Sequence, residues 1–179
     1  MRRRDRGAET RKRFVERDAA EVGWRFWSVR REGDAYRLHS PFRNNLWRTG
    51  EPLVAECLGT DAALGARGRH KHDAPAAHCR CGVYGGSYRG LRTFLDGTFV
   101  PLAEPVVIGR VALWGGMIDE PSARRAQRGY PERLLVPTLL RDAARIASDL
   151  KDYGVPVIVL DIAETFAALN PVVAARAPE

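Results

Sequence analysis

Between positions 138 and 153, apolar residues return at Leu139, Leu140, Ala143, Ile146, Ala147 and Leu150, the spacing of one helix face. Thr138 stands where a cap would open that helix and Gly154 where it would close. Most of the remaining pattern is β-like. The run 106-VVIGRVALWGG-116 is β-branched and predicts a strand, with Gly109 marking a bulge or a close approach of another backbone. The segment 24-WRFWSVRREGDAYRLHS-40 holds two short β-like runs around Glu32-Gly33-Asp34 and predicts a hairpin. Shorter strands are expected at 53–58, 81–86, 133–137 and 155–162, and a short helix at 163–170. Residues 88–102 fit either periodicity. Residues 8–21 are good helix formers free of Pro and Gly, which predicts a helix stopped by Gly23.

The expected fold class is therefore α+β. It is a single mainly-β domain over residues 23–179 with one strong C-terminal helix, preceded by a basic helical N-terminal arm over residues 1–22. At 179 residues, 45% of them hydrophobic, the chain has the length and apolar content of one folded domain. No apolar run approaches the roughly 20 residues that span a bilayer, so no membrane partner is expected. The charged N-terminus has no apolar stretch behind it, so no secretory signal is expected either, and the expected compartment is the cytoplasm.

One segment breaks the pattern. Residues 59–80, GTDAALGARGRHKHDAPAAHCR, are Gly-, Ala- and polar-rich, an uncommon length for a loop in a compact domain unless something clamps it. Three cysteines, Cys57, Cys79 and Cys81, flank this loop (57–82), and His70, His72 and His78 lie inside it. An odd cysteine count argues against a disulfide framework. Thiolate and imidazole together are what Zn²⁺ selects, and three Cys with one His is a standard structural set. In Cys79-x-Cys81-Gly82 the glycine permits a tight turn that lets both thiolates converge. Metal binding would replace the apolar burial that the loop lacks. His72, seven residues before Cys79, can fold back across Pro75 and is the first choice of fourth ligand; His78 and His70 follow. A full tetrahedral set leaves no place for a catalytic water, so the zinc is expected to be structural. A Cys–His nucleophile pair, drawn from Cys79 or Cys81 with His72 or His39, is a less favoured reading because it needs a third orienting group.

The formal charge of +7 is uneven. Residues 1–17 hold Arg2, Arg3, Arg4, Arg6, Arg11, Lys12, Arg13 and Arg17 against Asp5, Glu9 and Glu16, whereas the other 162 residues are nearly balanced. A short Arg-rich arm suits phosphate, which Arg grips bidentately while counterions are released. The plainer alternative is a solvated leader. In the body, Arg124, Arg125 and Arg128 form the one cluster with the composition of a phosphate-binding patch. Trp27 and Trp47 are the candidate stacking surfaces for single-stranded nucleic acid, although such aromatics are more often core or cover, and Trp114 is expected in the core.

The segments 75-PAAHCRCGVYG-85, 106-VVIGRVALWG-115 and 124-RRAQRGYPERL-134, with 24-WRFW-27, Trp47 and Cys57, resemble a family of small actinobacterial proteins. That family is marked by a CxCGxY segment, a GxVxLWG strand and an Arg-Ala…Tyr-Pro segment. The resemblance covers roughly residues 23–160, and in the last segment the order of residues differs. It implies an actinobacterial, cytoplasmic protein with a Cys-centred site and carries no activity. The function expected from the sequence is a zinc-stabilised accessory or binding module that reaches nucleic acid or an acidic partner through its arm. The alternatives are a protein–protein adaptor of a mobile-element or phage-linked assembly and a Cys/His-dependent enzyme.

Overall fold

Strand β1 runs unbroken from Phe14 to Glu32, nineteen residues, through the very segment where a helix is expected. A computed structural model describes residues 14–57, 72–97 and 105–161 of the chain. The remaining strands are β2 (Ala35–His39), β3 (Leu53–Val54), β4 (Val83–Gly86), β5 (Val106–Asp119), β6 (Ala123–Pro137) and β7 (Val157–Leu160). Two helices complete the set, α1 (Tyr88–Gly97) and α2 (Ala143–Leu150), with a 3-10 turn at Lys151–Tyr153.

The predicted hairpin forms: β1 and β2 pair antiparallel from Ser28↔His39 to Glu32↔Ala35 across Gly33-Asp34. β1 also pairs with β5 along its length, and β5 with β6, both antiparallel and both interrupted by register shifts. Such shifts bend and twist long strands. β5 occupies one edge of β6. The other edge is shared in succession by three short strands: β7 (parallel, from Leu134), β3 (Leu53↔Gly129) and β4 (Val83↔Ala126). β4 also touches β1 at Trp24↔Gly86, so β1, β5, β6 and β4 close into a ring. Gly23 permits the closure rather than stopping a helix, since a Cβ there would lie 2.9 Å from the carbonyl carbon of Gly85.

The α+β expectation is thus corrected to a mainly-β fold. Its N-terminal helix fails where it can be followed because residues 14–21 offer no broad apolar face to pack a helix, whereas β5 offers a ladder. The strong C-terminal helix shrinks to the eight residues of α2, which bury Ile146, Ala147 and Leu150. Thr138 does not cap it, because the helix begins at Ala143 with Asp142 in the N-cap position, while the N–H of Thr138 bonds the carbonyl of Leu160. Gly154, with φ +70°, does close the element after the 3-10 turn. Residues 88–97 settle as helix. The helix expected at 163–170 and the arm before residue 14 lie outside the described residues.

The core is built around two indoles. Trp27 and Trp47 are both fully buried and meet edge to face with centroids 5.6 Å apart, so neither is a stacking surface. Tyr153 ties this centre together: its hydroxyl donates to the carbonyl of Trp47 (2.6 Å) and accepts from the N–H of Leu38 (3.0 Å). Trp114 is half-buried rather than central.

Candidate metal centre

β3 and β4 lie end to end against β6, and the chain between them makes the Cys/His excursion. The N–H of Ala55 bonds the carbonyl of Gln127, and two residues later the chain leaves the sheet at Cys57. It returns at Cys79 and Cys81, just before Val83 pairs with Ala126. Exit and re-entry are therefore neighbours in space although 22 residues apart in sequence.

At this gap the ligand atoms of Cys57, His72, Cys79 and Cys81 all lie within 4.8 Å of one another, close enough to hold a metal ion. The sulfurs of Cys57 and Cys79 are 3.8 Å apart, and His72 Nε2 is 3.1 Å from Cys57 Sγ. A tetrahedral site with metal–sulfur bonds of about 2.3 Å has S···S edges of about 3.8 Å, so the donor set fits. His72 Nδ1 lies 2.9 Å from the carbonyl of Asp73, which accepts from Nδ1–H, so the ring proton stays on Nδ1 and Nε2 keeps its lone pair. His78 is exposed and stacks edge-on against His72 at 5.1 Å, outside the set. His70 lies outside the described residues.

The electrostatics favour thiolate at one corner. Burial works to raise the Cys79 thiol, but hydrogen bonds to its sulfur from the Cys81 amide, His72 and the other two thiols outweigh it and hold it at about 7. Burial pushes Cys81 up to about 11, and the neighbouring sulfurs add to the effect. The hydrogen bond to Asp73 raises His72 despite partial burial. A divalent cation would reverse the last two preferences, since it coordinates thiolate and neutral imidazole.

The knuckle is held from behind by Arg125. This side chain has no solvent exposure. Its Nη1 donates to the carbonyls of Cys79 (2.6 Å), Cys81 (2.8 Å) and Ala76 (3.2 Å), and its Nε pairs with Glu120 at 2.8 Å. Gly82, at φ +130°, passes so close that a Cβ would meet Arg125 Cβ at 2.9 Å. Arg124 faces the surface and pairs with Glu21 and Asp119, and Arg128 is exposed. The three arginines thus share no patch. The structural role of Arg125 was missed because residues 122–131 do not read as strand; read so, the two-residue period sets Arg125 opposite Arg124 and Arg128. The contact candidates Arg2, Arg3, Arg4, Arg6, Arg11, Lys12 and Arg13 lie outside the described residues.

Comparison of the chain with protein-family models, with curated proteins and with solved structures finds no match. No described helix is long and apolar enough to cross a membrane.

Proposed function

We propose that the chain is a binding module whose Cys57, His72, Cys79 and Cys81 hold one structural zinc, and whose Arg-rich arm engages nucleic acid or an acidic partner surface. The observation that carries the zinc is the convergence of three sulfurs and one imidazole at the gap between β3 and β4. Those residues would pin the base of the 57–79 excursion and fix where β4 enters the sheet. Zinc suits the set because soft thiolate donors select it over magnesium or calcium. All four positions are filled by protein, which supports a structural rather than a hydrolytic role and counts against a Cys/His enzyme. Keeping three thiols metal-bound and reduced suits the cytoplasm.

The arm enters this reading by charge alone: eight basic against three acidic residues within positions 1–17, a stretch that runs into the first residues of β1. Elemental analysis of the purified chain, paired with melting before and after chelation, tests the zinc. About one zinc per chain and a lower melt after chelation support it; a metal-free chain that melts identically with and without chelator refutes it.

A further inference from the structure

A groove of about 580 Å³ opens beside the metal centre, between the start of the 40–45 turn and strand β4. That volume is within the range of sites that enclose small organic ligands. Its walls combine two kinds of chemistry. Trp24, Phe26 and Phe42 supply aromatic surface, and Phe42 stands 64% exposed at the rim. Arg25, Arg43 and Arg80 supply positive charge against a single acid, Glu56.

Arg25 is the telling residue. Its Nη1 donates to the carbonyl of Tyr84 at 2.7 Å and its Nη2 to Ser40 Oγ at 3.2 Å, while its guanidinium lies 5.1 Å from the ring centroid of Trp47. Its Nε is buried and has no partner, and no described carboxylate pairs with it. Desolvation draws its pKa down to about 10. A guanidinium taken from water without a counter-charge is costly, and an anion in the groove would offset that cost. Arg43 and Arg80 make no described ion pair, and both act electrostatically on the Tyr84 phenol, which lines the same groove. Three guanidinium groups therefore surround one aromatic-walled space.

We infer that this groove binds a small ligand that joins a flat ring to an anionic group, with the chemistry of a nucleoside monophosphate. The ring takes the aromatic wall and the anion the arginines, which suit phosphate geometry. The inference goes beyond the zinc reading: Arg25, Phe42 and Arg43 belong to β1 and the 40–45 turn, and of the three arginines only Arg80 comes from the Cys79–Cys81 knuckle.

The test is calorimetric titration of the full chain with AMP, adenosine, inorganic phosphate and pentadeoxyadenylate, with zinc content measured on the same sample. AMP is expected to bind at least about tenfold more tightly than adenosine, as losing a charge-assisted contact implies. Inorganic phosphate is expected to bind more weakly than AMP, because it lacks the ring. Arg25→Met risks the fold, so the informative variants are the exposed Arg43→Ala and Phe42→Ala. Each should weaken AMP about five- to tenfold with an unchanged melt. Equal affinity for AMP and adenosine, no AMP binding at millimolar concentration, or binding of the pentanucleotide alone would each overturn the proposal. AMP binding by a chain that is metal-free as purified and melts identically with and without chelator would uphold the groove while refuting the clamp.

Discussion

The Nη1 atom of Arg125 sits 2.6 Å from the carbonyl oxygen of Cys79, the shortest of the three bonds by which one guanidinium gathers the backbone of the knuckle. The arrangement makes a strand of the sheet the mould for the metal centre. β6 carries Arg125, and Arg125 fixes the main chain whose sulfurs face the cluster. Because its Nε is held by Glu120, the guanidinium cannot turn away to serve solvent.

Arg125→Met should therefore be among the most damaging single substitutions. It takes from Glu120 its bond to Arg125 Nε, and from the carbonyls of Cys79, Cys81 and Ala76 the guanidinium donor, with only Ala76 keeping a backbone donor in the N–H of Cys79. Breaking a buried pair from one side costs about 3–5 kcal/mol. For a chain of this size the melt should fall on the order of 10 °C. Loss of such outer support should also weaken metal binding about 10- to 100-fold. Thermal melts and competition with a chelating dye read the two effects. A variant that melts like the parent would remove Arg125 from the clamp.

Metal removal should act locally. The core around Trp27, Trp47 and Tyr153 contains none of the four ligands, so the chelated chain is expected to keep its β-sheet circular dichroism. Hydrogen exchange should rise over 55–57 and 79–86 and change little in β5. At free zinc a thousandfold above its dissociation constant, the stabilisation lost is about 4 kcal/mol. Cys57→Ser should reproduce most of the loss, whereas His78→Ala should reproduce none.

The difference between what the sequence showed and what it hid follows from the range of the interactions. The Gly33 turn, the β-branched 106–116 run and the Cys/His spacing are local signals, and each matched an observed element. β1 was hidden because Phe14–Arg17 become strand only by pairing with Gly115–Ile118, a hundred residues away. Arg125 and Arg25 were hidden for a related reason: nothing near them in sequence marks a buried guanidinium. Trp27 and Trp47, with arginines as neighbours, are open in sequence to either core or stacking surface, and the sheet encloses both.

Gly109 illustrates a signal that was both local and correct. A Cβ there would collide with the carbonyl oxygen of Arg133, on the paired strand β6. That oxygen is backbone in a ladder and cannot swing aside. Gly109→Ala should cost about 1–3 kcal/mol, the usual penalty of overpacking, or more where the strands must part. Urea titration gives the value; a neutral result would mean the two strands separate freely at this point.

Tyr153 sets an alkaline limit on stability. Burial, the dominant cause, raises its phenol to about 12, against about 10 for the ordinary group. The folded state thus holds the proton more tightly than the unfolded one. Its contribution is complete below pH 10 and is lost as pH rises through 12, by roughly 3 kcal/mol. Tyr153→Phe should lower stability at neutral pH by about 1–3 kcal/mol, since the carbonyl of Trp47 and the N–H of Leu38 lose their partner. The same variant should show a flatter decline between pH 10 and 12, measured by denaturant titration at each pH. A parallel decline in both proteins would place the alkaline sensitivity elsewhere.

The arm offers a test in which salt separates charge from fold. Deleting residues 1–13 stops short of Phe14, where β1 begins, so the pairing of β1 with β5 is preserved and the melt should not move. The deletion removes Arg2, Arg3, Arg4, Arg6, Arg11, Lys12 and Arg13, seven cations. If each neutralises one phosphate of a duplex, the slope of log affinity against log salt should lose about 6. A smaller loss counts how many of the seven touch phosphate. If the full chain binds duplex or single-stranded DNA with no salt dependence, or the deletion leaves the slope intact, the arm is not a phosphate-binding device. The acidic-protein reading would then have to be carried by a partner that the full chain retains and the deleted chain loses.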